Sequence, residues 1–447
     1  MGITLSPAAW AYQVPTSPAT INGGVATLTL PGSGLTTTIS TTGLTGVTQA
    51  STLGSRGYVA SDFTPGLTTT TPAVELSTDA VNNCPAVGTC SGLGSITVTF
   101  SQPVRNPILD IAGIGGDVFQ FDSNHVVTSQ SQLHSIFTLT TPGITMTDLS
   151  GGNLAVSGQT ITATSASTSY RCDTAVQSTP SLGVKEYDAQ ATAACGSVRL
   201  NGIITSVTFD LSALFTRTTS AVPAYTNNNL SDPRHNQDAY VITATAGEDF
   251  GDAPASYDQG NAARAILSDL TLGPTVTEDN ATVANGAASP NAGPTAALDG
   301  GDDGVTLGPL TTAATSYSTT VSISGASKPG IVCGWIDVNS NGIFDTAERA
   351  CATFAAGATS ATLTWSGLSG LTAGNTYARF RVGYDVAQTQ SPIGASSAGE
   401  VEDYLLPITA EVAVPVIDPR VALGLLPLGG LALLGARRSA RRRRLAS

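Results

Sequence analysis

Charge is scarce in this chain. Only 11% of its 447 residues are Asp, Glu, Lys or Arg, and Lys185 and Lys328 are its only lysines. A solvated helical protein carries far more charge, whereas low charge with abundant Gly, Thr, Ser and Ala suits β-structure with many turns. Residues 1–411 contain no long segment of 3.6-residue period apart from Asn261–Leu270, the one stretch there expected to be helical. Histidine is nearly absent: His125, His134 and His235 are the whole set, and none lies in HExxH or beside a Cys or Ser motif. GxSxG, P-loop and strand-following GxGxxG patterns are missing too, which removes the locally encoded hydrolase, nucleotide and dinucleotide sites. A glycan-active hydrolase built on two carboxylates leaves no local signature and stays as an alternative.

The charge that is present is unevenly divided. The net charge is −13. Residues 412–447 hold seven arginines and one aspartate, so of 19 basic and 32 acidic residues, 12 and 31 belong to residues 1–411, a body charge of −19. An acidic body disfavours nucleic acid and anionic lipid as partners and favours divalent cations. The six cysteines fall into three local pairs with no zinc-ribbon or CxxC spacing. In an exported chain an even count implies disulfides. The expected connectivity is the local one: Cys84–Cys90, Cys172–Cys195 and Cys333–Cys351.

The C-terminus reads as an address. A Pro-containing lead (Val414, Pro415, Pro419) precedes an apolar stretch over residues 421–436 and six arginines between Arg437 and Arg444. Arginine beside an apolar span stays cytoplasmic, so the body is expected outside and the tail inside. At about 1.5 Å per residue the stretch covers about 24 Å, short of a hydrocarbon core of roughly 30 Å. The layout resembles the C-terminal sorting signals of bacterial exosortase-type systems, the PEP-CTERM, IPTL-CTERM and VPxxP-like group, although neither Pro-Glu-Pro nor Ile-Pro-Thr-Leu occurs. That resemblance implies a membrane-bound processing enzyme cutting near residues 414–420; a permanent single-span anchor is the alternative. An exported chain also needs an N-terminal signal. Residues 1–20 do not show one, and the expectation is that it lies upstream.

Residues 1–246 carry recurrent apolar strands: Ala26–Leu30, Ser95–Phe100, Pro107–Ile111, Ile136–Thr140, Leu154–Ala163, Ser197–Leu200, Thr205–Leu211 and Tyr240–Thr245. Turn residues separate them, as in a sandwich. The segment Ile96–Gly116, with a strand ending at Phe100, Pro103 and Pro107 in a turn and a Gly-rich corner, resembles the non-repetitive ligand-binding domain of CshA-type fibrillar adhesins. So does the closing run His235–Thr245. The resemblance implies a lectin-like β-sandwich that binds a host or matrix protein or glycan. Loops near Asn106, Asp110, Asp122 and Asn124 are the candidate ligand contacts. Residues 247–304 read as a DFGDAP segment followed by a Gly/Asp-rich linker. Residues 305–411 read as a second β-domain with the marks GWIDVNSNGIFDTAERA (Gly334–Ala350), ARFRVGY (Ala378–Tyr384) and GEVEDYLLPI (Gly399–Ile408). Together with DFGDAP these resemble the GEVED domain of large secreted and surface bacterial proteins.

One constellation there points to metal chemistry. Asp337, Asn339, Asn341, Gly342, Ile343, Asp345 and Glu348 fit the calcium-loop pattern position by position. Asp337, Asn339, Asn341 and Asp345 would supply side-chain oxygens, Ile343 its carbonyl, and Glu348 a bidentate carboxylate, to a structural Ca2+. The flanks are not helical, so the same residues also read as a hairpin turning at Asn341–Gly342 with a polar tip; both readings stand at this point. Cys333 and Cys351 lie nine residues on either side of Gly342, which places them opposite one another in such a hairpin. Glu400 and Glu402 alternate onto one strand face, and Arg379 and Arg381 do the same, which predicts cross-strand ion pairs; completing a cation site is the alternative. Asp299, Asp302 and Asp303 read as solvated turn residues, with a second cation site as the alternative.

The expected fold is thus all-β: two β-sandwich-like domains and a short C-terminal hydrophobic helix. The expected function is a non-enzymatic, cell-surface or secreted adhesin-like protein. A matrix or coat protein without a specific ligand is the alternative.

Overall fold

Strict alternation of apolar and hydroxyl side chains builds the first half of the molecule. In the strand Gly88–Arg105, Ile96, Val98 and Phe100 are buried while Ser95, Thr97 and Thr99 face outward. Burial keeps the period of two in Val25–Thr29, which buries Ala26 and Leu28, and in Thr36–Thr42, where Thr37 joins Ile39 on the inner face. A period of two leaves one apolar face to bury and one polar face to solvate. In a computed structural model of the protein the described residues are 12–44, 46–53, 62–64, 67–68, 70–78, 84, 87–121, 127–152, 154–163, 194–219, 238–276, 278 and 301–411. Within them the fold is all-β, with a single α-helix of four residues, Val386–Thr389.

The first sandwich packs a 9-stranded sheet against one end of a 13-stranded sheet. The 9-stranded sheet contributes Phe100, Phe137 and Phe209 to the shared core; the larger sheet contributes Leu109, Ile111, Tyr240 and Ile242. Phe137 meets Tyr240 edge-on at 4.9 Å and Phe209 at 6.5 Å. The Tyr240 hydroxyl shares a 3.1 Å hydrogen bond with Ser135 Oγ, which satisfies its polar end inside the core. Ile108–Ile114 is buried at nearly every position, as a central strand between two neighbours requires.

The strand Asp238–Phe250 joins the two halves. Its first part, Val241–Thr245, pairs with Ile108–Ala112. Its last part, Glu248–Phe250, pairs with Arg264–Ile266. The Arg264–Leu267 strand in turn lies parallel to Ala395–Thr409, so one sheet runs through both halves. The boundary expected between residues 246 and 247 falls inside this strand. The stretch Asn261–Leu270, expected to be helical, contains this β-strand instead: Ala265, Ile266 and Leu267 are all buried, a continuous apolar run that serves a strand covered on both faces. The strand expected to end at Phe100 runs on through Pro103 to Arg105, and the turn falls at Asn106–Pro107.

The second core gathers Leu270, Leu272, Val332, Phe380, Trp365 and Leu406. Leu270 and Leu272 come from the segment expected to be a linker, so that segment belongs to this core. The expected C-terminal helix over residues 421–436, the lead residues Val414, Pro415 and Pro419 and the arginine cluster lie outside the described residues, as do Cys172, Asp122, Asn124 and Asp299. Among the described residues no helix is long and apolar enough to cross a membrane.

Candidate functional site

The loop Asp337–Glu348 is assembled by its own short side chains. It leaves the strand Gly330–Ile336 and returns as Arg349–Phe354, with Cys333 directly opposite Cys351 and bridged to it. The pairing expected from equal spacing about Gly342 is the one formed, and Cys84 is likewise bridged to Cys90. Cys195 is buried and disulfide-bonded. Inside the loop, Asp337 is fully buried. Its Oδ1 accepts the Asn341 N–H at 3.1 Å, and its Oδ2 accepts the Gly342 N–H at 3.0 Å and the Tyr257 hydroxyl at 2.7 Å. Asn339 and Asn341 each accept the N–H two residues on, at 2.9 and 3.0 Å, and both donate their amides to Asp345 Oδ2, at 3.1 and 2.9 Å. Glu348 reaches back to the N–H groups of Val338, Asn339 and Asp345. Gly342, at φ 80°, provides the left-handed turn that lets the chain close on itself.

All five expected metal-ligating side chains therefore take part in one hydrogen-bonded loop. Ile343 enters it through its backbone. Asp337, Asp345 and Glu348 have no Arg or Lys partner among the described residues, and Glu348 is pushed up to about 7 by burial, with repulsion from Asp337 adding to the shift. This donor set, rich in oxygen and locally anionic, is of the type calcium takes. The oxygens also accept hydrogen bonds from the loop itself, and among the described residues no group of three or more Asp, Glu, His or Cys side chains converges to hold a metal ion.

The loop rests on a buried charged triad. Arg379 is fully buried. It makes two bonds to Asp403 (Nε–Oδ1 2.8 Å, Nη2–Oδ2 2.8 Å) and one to Asp258 (Nη1–Oδ1 2.9 Å). Its guanidinium lies 5.3 Å from the Phe344 ring centroid, beneath the loop. Asp403 also accepts the Ala253 N–H at 2.7 Å. Tyr257 stacks between Phe344 and Tyr377. The DFGDAPASYD segment is thus the second wall of the site: it supplies Ala253, Tyr257 and Asp258 to residues 80 to 150 positions away. Burial alone would lower the Arg379 pKa; the Asp403 carboxylate outweighs it, with help from Asp258, and holds the guanidinium ionised.

Residues 331–407 match the GEVED domain. No curated protein matches the chain. The GEVED motif itself is not paired as alternation predicts. Arg379 stands opposite Asp403, and Arg381 opposite Val401, so both arginines share the face of residues 401 and 403. Glu400 and Glu402 point the other way, where Glu400 accepts the Leu272 N–H at 2.5 Å and Glu402 accepts those of Asp303 and Gly304 at 2.9 and 2.8 Å. The expected ion pairs to Glu400 and Glu402 are therefore replaced by one pair to Asp403 and by carboxylates that cap backbone. Burial raises Glu402 to about 7 and Glu400 well above the carboxylate range, with Asp249 adding to the latter. Burial, and then the Arg379 charge, lower Arg381 to about 9, and it donates to four backbone carbonyls, including Ser391 and Gly394. Asp303 is tied to the Thr275 hydroxyl at 2.5 Å, so it is a bonded rather than a merely solvated turn residue.

Two of the four ligand contacts expected in the first half, Asn106 and Asp110, lie within the described residues. Asn106 sits at φ 48° and its Oδ1 accepts the Gly202 N–H at 2.8 Å, closing a turn. Asp110 lies in the strand Ile108–Ile114, is fully buried and holds Ser197 Oγ at 2.5 Å. Burial raises it well above the usual carboxylate range, so it is a core group, not a surface contact. Tyr257, Asp258 and Arg379 were not singled out as a unit by sequence; the signal was the DFGDAP motif, read as a mark of the GEVED resemblance but not as a wall of the site.

Proposed function

We propose that this is a non-enzymatic protein of the cell surface or extracellular space, with an adhesin-like body that binds a matrix protein or glycan and a C-terminal tail handled by a membrane-bound processing enzyme. The observation that carries the location is the pairing of a GEVED domain, a β-rich domain of extracellular proteins, with a disulfide in each half of the body: Cys84–Cys90 and Cys333–Cys351. Disulfides of this kind persist in oxidising compartments. The test is protease shaving of intact cells with electrophoresis of the released body under reducing and non-reducing conditions. A protein released from intact cells that changes mobility on reduction supports the reading. A protein that is protected from protease and carries free thiols refutes it. Binding is tested separately, by capture of the full chain on immobilised collagen, laminin, fibronectin and glycans; silence on all of them would leave only a coat or matrix role.

Calcium is part of the proposal. Asp337, Asn339, Asn341, Ile343, Asp345 and Glu348 would hold it, and its charge would offset the repulsion between Asp337 and Glu348. The chain's own residues provide the frame: Tyr257 orients Asp337, and the Cys333–Cys351 bridge closes the base of the loop. Melting with and without EDTA checks it. A drop in Tm on chelation that is abolished in Asp337→Ala is the expected outcome; equal melting in both conditions ends the calcium reading.

A further inference from the structure

The outer face of the 9-stranded sheet carries registered rows of hydroxyls. Successive rows run across the strands that begin at Thr36, Gly88, Val127 and Ile203. Thr99 stands beside Ser206 and Thr97 beside Thr208, and in both cases the hydroxyls bond each other at 2.9 Å. These rows satisfy themselves. The next row differs. Thr138 lies opposite Asp210, Asp210 opposite Ser95, and Ser95 opposite Thr42. Asp210 and Thr42 are exposed and Ser95 and Thr138 half-buried. Among the described residues none of these four side chains has a hydrogen-bonding or ionic partner. They are directly opposed across strands about 4.8 Å apart, so their polar groups stand in line and point to solvent.

The same row floors a cavity of about 490 Å³. Its wall is a bulge: Leu211 pairs with Gly94 and Ala213 with Cys90, so Ser91, Gly92 and Leu93 oppose the single residue Ser212. Leu93 is buried, and Ser91 and Gly92 are pushed outward. The Cys84–Cys90 bridge fixes the base of that wall. Gly94 is needed where the bulge rejoins the sheet: a Cβ there would lie 2.5 Å from the Thr42 carbonyl oxygen. A bulge of this kind re-aims side chains beside a site.

We propose that this cavity binds a neutral polysaccharide segment through a vicinal diol. A carboxylate accepts two O–H bonds side by side, which is the spacing a diol presents, and charge-assisted bonds of that type are the strong ones. The flanking Thr138, Ser95 and Thr42 hydroxyls both donate and accept, matching further sugar hydroxyls. The row holds one negative charge and no positive one, and the body is strongly acidic, so a polyanionic glycan, a phosphate or a nucleic acid is repelled. The absence of an aromatic or large apolar side chain in the row disfavours a hydrophobic peptide. This assignment rests on the binding function proposed above and names the place and the ligand class.

The test is calorimetric titration of the full chain with a neutral α-glucan, a β-glucan and a mannan, with alginate as the acidic control. At least one neutral glycan binds and alginate does not. Asp210→Ala, and separately the pair Ser95→Ala with Thr138→Val, weaken that binding at least tenfold while the melting temperature is unchanged. Thr320→Val, in the other exposed hydroxyl ladder between Ser316–Ser324 and Ser360–Ser366, where no carboxylate interrupts the row, leaves binding as it was. Binding by none of the neutral glycans, equal binding of alginate, or full affinity in Asp210→Ala overturns the site. Capture of a matrix protein that Asp210→Ala does not alter would overturn this site while leaving the broader binding reading intact.

Discussion

Arg379 is the side chain whose loss reports most directly on how the second half is held. It is fully buried, forks onto Asp403 with two bonds of 2.8 Å, reaches Asp258 at 2.9 Å and donates a fourth bond to the Pro392 carbonyl at 2.8 Å. Arg379→Met keeps much of the volume and removes the charge. Asp403 and Asp258, with side chains 0% and 2% exposed, then lose the one cation that pairs directly with them among the described residues, though Asp403 keeps the Ala253 N–H and Asp258 the Ala263 N–H. Breaking a buried pair from one side costs roughly 3–5 kcal/mol because the remaining charge is uncompensated. Two carboxylates share the loss, so the upper part of that range is expected. The triad also spans the DFGDAP segment and the GEVED motif, so both unfold together.

The pH dependence separates this cause from simple loss of packing. Burial already raises the Asp258 carboxyl with Arg379 in place, and loss of the Arg379 charge raises it further. The folded variant then binds more protons than the unfolded chain, and the deficit relative to wild type shrinks as pH falls toward the carboxylate range. Denaturant unfolding followed by fluorescence of Trp335 and Trp365, both buried in this half, is the assay, run at pH 8 and pH 5. A penalty below about 1 kcal/mol, or one that is equal at the two pH values, would refute the argument that net buried charge is what Arg379 neutralises.

Three further outcomes follow from the same structure. Replacing Cys333 and Cys351 by alanine opens a bridge of sequence separation 18, which the chain-entropy account values at about 3 kcal/mol, and lowers the unfolding midpoint of the second half. Glu402 and Glu248 are both pushed up to about 7 by burial, so the folded chain holds protons that the unfolded chain has released. Stability therefore declines as pH rises from about 4.5 through about 7, seen as a higher Tm at pH 5 than at pH 8, and Glu402→Gln flattens that slope. A fragment starting at residue 305 loses Tyr257, Asp258, Leu270 and Leu272 and fails to fold, whereas one starting at residue 247 gives a cooperative transition by circular dichroism.

The alternation of apolar and hydroxyl residues made the strands of the first half legible, because a period of two is written residue by residue. The Cys333–Cys351 pairing was legible for the same reason: a hairpin centred on Gly342 sets the register. Asp258 could not be read this way, because its partner Arg379 lies 121 positions along the chain and no local pattern encodes that contact. The GEVED carboxylates misled through a half-right inference. Alternation does put Glu400 and Glu402 on one face, but only the strand register decides that the arginines look at Asp403 on the other. Asp210 carries no sequence signal at all; it is one acidic residue among serines and threonines, and its meaning comes from three strands that the chain brings alongside it.

The run VITATAGEDF shows why the two halves are better regarded as one body. Composition changes at residues 246–247, which reads as a boundary, yet the backbone does not turn there. Asp238–Phe250 stays extended and hands its hydrogen bonding from Ile108–Ile114 to Arg264–Leu267. Side chains brace the joint. Glu248 accepts from Gln13 at 2.6 Å and from Arg264 at 2.9 Å, Arg105 donates to the Ser268 carbonyl at 3.0 Å, Lys328 bonds Gln102 at 2.5 Å, and Gln388 bonds the Ser33 carbonyl at 2.7 Å. Domains joined by a flexible linker move independently by default. Here, relative motion would have to break a β-ladder and the side-chain hydrogen bonds made across the joint by Gln13, Arg105, Lys328 and Gln388. A load applied between the hydroxyl face around Asp210, on the 9-stranded sheet, and the Ala395–Thr409 strand, on the 13-stranded sheet, therefore crosses the shared sandwich core and then runs along the larger sheet through Asp238–Phe250.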